Sequence, residues 1–196
     1  MRLAALDLEA TCLDPRRCRV VAAALVPIQG WEVDLSSALY AATSQRSRPD
    51  AALVHGIVSG EPHLPPNTDM RGILEAAARH TLVTFGPHDA RFLAEEARRR
   101  GLHAASYCYI DVMAALLRNP ARLAEARRRG RYSLEDAVEE MLGIRPPPRR
   151  LHDPLEDAVY TALLYLAARR RGLALPRRCT SPRSGLAGLL ARLLGR

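Results

Sequence analysis

Two carboxylates lie close together near the start of the sequence, in a segment that is otherwise apolar. Asp7 and Glu9 are two residues apart in Leu6-Asp7-Leu8-Glu9, and residues two apart on a strand face the same side of a sheet. Neighbouring like charges repel each other unless a cation lies between them. The pair predicts a metal site, although so short a motif also occurs by chance.

Two further acids and a histidine stand where helices are predicted to begin. Asp89 follows the apolar run Thr81–Phe85, where the carboxyl end of a parallel strand opens onto a crevice. Asp157 is on the first turn of the helix predicted from Pro154, and His152 precedes that helix. Each acid also has a structural interpretation, because acids in a first turn complement the helix dipole. Carboxylates also bind hard divalent cations, and an imidazole accepts a proton near neutral pH.

The elements that must position these residues begin with three strands. The runs Leu3–Leu8, Arg19–Ile28 and Trp31–Leu35 are joined by short turns, which is typical of an antiparallel meander. Two more strands, Thr81–Phe85 and Tyr107–Ile110, are each followed by a helical pattern. This order predicts an α/β fold, a mixed five-stranded sheet flanked by helices.

Helix boundaries are marked by capping residues. Asp153 is a good N-cap and Pro154 a good first helical residue, so a long helix is predicted from there to Arg171, before Gly172. The stretch 44–66 is polar and irregular. The other predicted helices contain Ile73–Ala78, Phe92–Ala97, Val112–Leu117, Pro120–Arg129 and Leu134–Leu142.

The order of these motifs resembles the DEDDh 3′–5′ exonuclease superfamily, the DnaQ-like group that includes proofreading epsilon-type subunits, ribonuclease T and oligoribonuclease. The resemblance spans roughly residues 3–171, and all five catalytic positions of the family have the matching residue type. Cys12 stands where the family's first motif usually has glycine, and His88 stands where phenylalanine usually precedes the aspartate. The residues that carry the resemblance are Asp7, Glu9, Asp89, His152 and Asp157.

The resemblance implies a ribonuclease H-like fold and a metal-dependent nuclease. Two Mg²⁺ or Mn²⁺ ions are expected on Asp7, Glu9, Asp89 and Asp157, with His152 as the general base. Cleavage is expected from the 3′ end of nucleic acid, with single-stranded DNA favoured, and releases nucleoside 5′-monophosphates. RNA 3′ ends are the alternative substrate. A catalytically silent module that binds nucleic acid or a polymerase is the alternative from another class.

Four further residues are candidates for substrate binding. By the resemblance, Thr11 approaches the terminal nucleotide and His55 lies on a loop near the active site, where a packing role is equally compatible. Arg149 and Arg150 precede His152 and are candidates to contact backbone phosphates, or they belong to a solvated linker.

Charge and cysteine content restrict the classes of partner and compartment. The 196 residues contain 29 arginines, no lysine and 21 acids, a net charge of +8. Such an excess favours a polyanionic partner, or it reflects biased codon usage. No apolar run approaches the ~20 residues that cross a bilayer. The cysteines lack zinc-ligand spacing and are expected to be small, mostly buried thiols, with a disulfide as the less favoured alternative. This favours a soluble cytoplasmic protein.

The last 24 residues differ from the rest in composition. We expect an exonuclease domain at 1–172 and a basic tail at 173–196, which contains five arginines and no acid. Leucines from Leu186 to Leu194 form a helical stripe. The helix either folds back on the domain, docks a second copy or a polymerase partner, or grips nucleic acid. Binding to a membrane surface is a weaker alternative.

Overall fold

The strands form one mixed sheet. The computed structural model describes residues 1–45, 65–102, 106–146 and 153–180. The strands are β1 (Leu3–Ala10), β2 (Val20–Gln29), β3 (Glu32–Val33), β4 (Leu39–Ala42), β5 (Thr81–Thr84), β6 (Cys108–Asp111) and β7 (Arg177–Cys179). Their order in the sheet is β3-β2-β1-β5-β6-β7, with β4 paired to β2.

The pairing confirms the predicted fold class and corrects the strand number. β2 is antiparallel to β1, β3 and β4, while β5 is parallel to β1 and β6 is parallel to β5. The sheet has seven strands rather than the predicted five. β4 and β7 were not expected from the sequence, because each is short and is defined by pairing with a distant strand.

The helices begin and end close to their capping residues. The helices are α1 (Met70–Ala78), α2 (His88–Arg99), α3 (Val112–Leu116), α4 (Pro120–Arg129), α5 (Leu134–Leu142) and α6 (Pro154–Arg170). Ser133 and Asp136 form a reciprocal capping box at the start of α5, and Gly143 ends that helix with a left-handed φ of 69°. Asp153 accepts hydrogen bonds from the amides of Leu155 and Glu156 at the start of α6.

Two apolar layers cover the two faces of the sheet. Helix α6 packs on β1 and β2 in one layer, and α1 and α2 belong to the other. Where α6 meets the sheet, both surfaces carry small residues. Ala22 and Ala24 on β2 and Ala158 and Ala162 on α6 are fully buried. Small side chains let the helix approach the sheet closely, which fixes the start of α6 over β1.

The four cysteines are paired, so the expectation of reduced thiols is wrong. Cys12 is bonded to Cys18, and Cys108 is bonded to Cys179. The first pair lies in a loop closed by backbone bonding between Thr11 and Arg19. The second pair lies on opposed residues of β6 and β7. Sheet and loop closure bring together cysteines that show no pairing signal in the sequence.

The remaining predictions concern the location of the protein, its domain boundary and its C-terminal tail. No helix in the described segments is long and apolar enough to cross a membrane, and the cytoplasmic location stays a prediction. The division at residue 172 also stays a prediction, although β7 places part of the predicted tail in the sheet. The predicted leucine-striped helix lies outside the described residues.

The Cys108–Cys179 disulfide provides a stability test. It joins residues 71 apart in sequence, so it strongly limits the unfolded chain. Replacing both cysteines by serine should lower the free energy of unfolding by about 2–4 kcal/mol. The matched Cys12→Ser, Cys18→Ser variant should lose less free energy of unfolding, because these cysteines are only 6 apart in sequence. Urea unfolding without reductant measures both. Free thiols in the denatured, unreduced wild type would contradict the pairing.

Candidate active site and metal centre

Strand β1 places two of the predicted carboxylates beyond the end of its pairing with β5. Asp7 lies opposite Ala24 of β2, and Glu9 lies opposite Ala22, so both side chains are on the face that α6 covers. On its other edge, β1 pairs with β5 only through Leu3–Ala5. Asp7 and Glu9 therefore lie beyond this pairing, where β1 and β5 part.

Helix α6 brings the third carboxylate to the place where β1 and β5 part. Asp157 follows the N-cap Asp153 by four residues and is 4% exposed. Asp7, Glu9 and Asp157 each offer an oxygen, and these three oxygens lie within 4.8 Å of one another. Residues 150 apart in sequence thus form one compact anionic cluster.

Asp89 approaches the same cluster from the first turn of α2. The turn before this helix requires glycine at Gly86, which has a φ of 106°. Burial raises the pKa of the Asp89 carboxyl well above its ordinary value of 3.8, and the charges of Glu9, Asp157 and Asp111 raise it further. Asp89 is thus in electrostatic contact with Glu9 and Asp157, which lie in the cluster together with Asp7.

Two residues near the cluster were not predicted as site residues. Asp111 ends β6, is 6% exposed and accepts a hydrogen bond from the amide of Ala114 at 2.9 Å. Its register partner on β5 is Thr84, so the carboxyl ends of parallel strands bring it to the same edge. That rule, applied to Tyr109-Ile110-Asp111, would have found it. Tyr40 on β4 has no comparable sequence signal, because its position depends on pairing with β2.

The predicted substrate-binding residues are only partly described. Thr11 accepts a hydrogen bond from the Arg19 amide at 3.0 Å, so its hydroxyl helps to close the loop that holds the Cys12–Cys18 disulfide. This loop leaves β1 directly after the carboxylates. His152, the predicted general base, lies outside the described residues. The same is true of His55, Arg149 and Arg150.

The donor set fits a hard divalent cation. The cluster offers carboxylate oxygens, which Mg²⁺ and Mn²⁺ prefer. Three carboxylates within 4.8 Å of one another repel strongly in a partly buried site. A bound cation offsets this repulsion and favours the ionised form of Asp89.

Comparison with known proteins gives matches in structure but not in sequence. No protein-family model matches the chain, and no curated protein matches it. The nuclease domain of 3′hExo, a DEDDh family member bound to rAMP, matches with a TM-score of 0.62 at 15% identity, over 92% of this chain and 96% of that one. Exonuclease X in complex with 5′ overhanging duplex DNA matches with a TM-score of 0.58 at 18% identity, over 88% of this chain and 95% of that one. S. pombe Pop2p in its Mg²⁺- and Mn²⁺-bound form matches with a TM-score of 0.57 at 10% identity, over 86% of this chain and 83% of that one.

These matches identify the fold. The mixed sheet and its flanking helices are those of the ribonuclease H-like DEDDh exonucleases, as the resemblance in sequence predicts. At 10–18% identity the likeness extends to the fold alone. What the chain does must therefore be argued from its own site.

The raised pKa of Asp89 predicts how the stability of the metal-free protein depends on pH. The native state keeps the Asp89 proton at pH values where the unfolded chain has lost it, so the free energy of unfolding decreases as pH rises above 3.8 towards the native pKa. Asp89→Asn does not titrate. Its stability relative to wild type in EDTA should therefore increase with pH, as measured by urea unfolding from pH 4 to 8. The exposed Glu32→Gln serves as the control, and a pH-independent Asp89→Asn difference would contradict the assignment.

Proposed function

We propose that this protein is a metal-dependent 3′–5′ exonuclease that hydrolyses nucleic acid from its 3′ end, with single-stranded DNA the favoured substrate. The observation that carries the proposal is the cluster of Asp7, Glu9 and Asp157 oxygens within 4.8 Å at the edge of the sheet. Asp89 completes the set by its electrostatic contact with Glu9 and Asp157. Like charges gathered in one partly buried place are normally paired with cations or coordinate a metal ion.

The four carboxylates would hold two Mg²⁺ or Mn²⁺ ions, which supply positive charge to the scissile phosphodiester and make a bound water more acidic. Asp7 and Glu9 hold their positions through the β1 backbone, and Asp157 through the capped start of α6. In the proposed reaction the water oxygen bonds to phosphorus while the bond to the 3′ oxygen breaks, and the departing oxygen takes up a proton from solvent. His152 accepts the water proton, and the product is a nucleoside 5′-monophosphate.

The proposed substrate contacts begin at the loop that follows β1. Thr11 begins the loop next to Glu9, and we assign that loop to the terminal nucleotide. Arg149 and Arg150 are assigned to the phosphates further along, and His55 to the edge of the site. The predicted leucine-striped helix at the C-terminus would serve for self-association or for docking a polymerase.

RNA is the second candidate substrate. The structural neighbour 3′hExo was solved with rAMP, a ribonucleotide, whereas Exonuclease X was solved with DNA. Both polymers end in a phosphodiester of the same chemistry. The choice between them depends on contacts to the sugar 2′ position.

A degradation assay tests the proposal. Single-stranded DNA and RNA of the same sequence, labelled at the 5′ end, should give a ladder that shortens from the 3′ end with Mg²⁺ or Mn²⁺ and stays intact with EDTA. Asp7→Asn should lower the rate by more than about a hundredfold, because it removes a carboxylate that holds the cation. Glu32→Gln, an exposed acid on β3, should have the wild-type rate.

The same assay separates the alternatives. A stronger ladder on RNA would move the substrate to RNA without changing the chemistry. Binding of both oligonucleotides with no degradation under either metal would overturn the enzyme and favour a catalytically silent binding module.

The role of His152 has its own test. His152→Ala should lower kcat by about 10²–10⁴-fold, the usual contribution of a general base. The acidic limb of the wild-type pH–rate profile, which reports loss of the neutral imidazole, should disappear in the variant. An unchanged acidic limb would move the general base to another group.

A further inference from the structure

Tyr40 is a buried tyrosine whose hydroxyl has no hydrogen-bond partner among the described residues. The side chain is 3% exposed. A buried polar group without a partner costs stability, so such groups are uncommon and need an explanation. The proposed exonuclease assigns no role to Tyr40.

Strand pairing places Tyr40 in the same row as Asp7, with one strand between them. Ala24 of β2 lies opposite Asp7 on one side and opposite Tyr40 on the other. Directly paired residues share a face of the sheet, so Asp7, Ala24 and Tyr40 form one row across three strands. The backbones of the outer two are about 10 Å apart, which is two strand spacings.

The residues between Tyr40 and the carboxylates are small. Ala24 in the row and Ala22 next to it, which lies opposite Glu9, carry only methyl groups. Tyr40 belongs to the apolar layer that contains both alanines. Larger residues at these two positions would stand between β4 and the carboxylates of β1.

The backbone of Tyr40 is also held on its outer side. Its amide donates to Asn67 Oδ1 at 2.9 Å, and its carbonyl accepts from the Asn67 amide at 3.1 Å. The Asn67 side chain donates in turn to the carbonyl of Ala38 at 2.9 Å. The backbone of Tyr40 is therefore fixed between Asn67 and β2.

The hydroxyl is close enough to the site to sense its charges. Burial, and then the negative charges of Asp153 and Glu9, raise the pKa of Tyr40 to about 12. The group is therefore a neutral hydrogen-bond donor at physiological pH. Glu9 is a predicted metal ligand, and Asp153 directly follows the predicted general base in sequence.

We propose that Tyr40 is a positioning residue of the metal centre, which donates a hydrogen bond from its hydroxyl to the Glu9 carboxylate when a divalent cation is bound. This inference rests on the proposed function only in taking Glu9 as a cation ligand. A ligating carboxylate is normally held by a further hydrogen bond, and removal of that bond weakens metal binding about 10–100-fold.

Metal affinity tests the inference without any substrate. Calorimetric titration of the full chain with Mn²⁺ should give a Kd at least about tenfold weaker for Tyr40→Phe than for wild type. The matched control is Tyr107→Phe, which removes the hydroxyl of a tyrosine that is 1% exposed in the other apolar layer. Its Mn²⁺ affinity should equal that of wild type.

Two further measurements separate positioning from structure. In EDTA, Tyr40→Phe should be as stable as wild type or more so, since it removes a buried hydroxyl without a partner. In a Glu9→Gln background, Tyr40→Phe should have no additional effect on Mn²⁺ affinity, because the two residues act through one interaction. Lost stability with unchanged Mn²⁺ affinity would assign Tyr40 a packing role and overturn the proposal.

The outcome is independent of whether the protein is an exonuclease. Tyr40-dependent Mn²⁺ binding without hydrolysis would support the inference and overturn the proposed function. Hydrolysis that needs Mn²⁺, with wild-type Mn²⁺ affinity in Tyr40→Phe, would support the proposed function and overturn the inference about Tyr40.

Discussion

Repulsion between carboxylates is the constraint on which the site and the surrounding fold depend. Asp7, Glu9 and Asp157 hold oxygens within 4.8 Å of one another. Burial, and then the charges of Glu9, Asp157 and Asp111, disfavour the anion of Asp89. In the absence of a cation the repulsion among these carboxylates opposes folding. The rest of the sheet must therefore stabilise a geometry that the candidate site works against.

The interface between α6 and the sheet provides that stabilisation. Close to the carboxylates it contains alanine, which loses no side-chain entropy on burial and lets the backbones approach. Ala22 and Ala24 lie opposite Glu9 and Asp7, and Ala158 follows Asp157 directly. The residues that pack the layers together are thus immediate neighbours of the residues that carry the charge. Packing and electrostatics are coupled along β1, β2 and the start of α6, because a shift of the helix would move both.

The sequence predicts those parts of the fold and site that depend on local signals. Ser133 and Gly143 mark the ends of α5, and Asp153 with Pro154 marks the start of α6, because caps act within one turn. Asp7 and Glu9 are predictable because strand periodicity alone places them on one face. The same reasoning does not reach β7, whose three residues are all exposed and carry no apolar alternation. Nor does it reach Tyr40, whose place in the same row as Asp7 depends on the register of β4 against β2.

The cysteines show the same limit from a different direction. Their spacing fits neither a zinc site nor a short redox motif, so reduced thiols are the simplest expectation from the sequence. Cys108 and Cys179 become neighbours only because β7 adds to the edge of the sheet beside β6. Cys12 and Cys18 meet because Thr11 and Arg19 close a loop directly after the carboxylates of β1. One disulfide therefore holds the far edge of the sheet, while the other stiffens the loop next to the site. Stiffening of this loop opposes the local opening that the repulsion among Asp7, Glu9 and Asp157 favours.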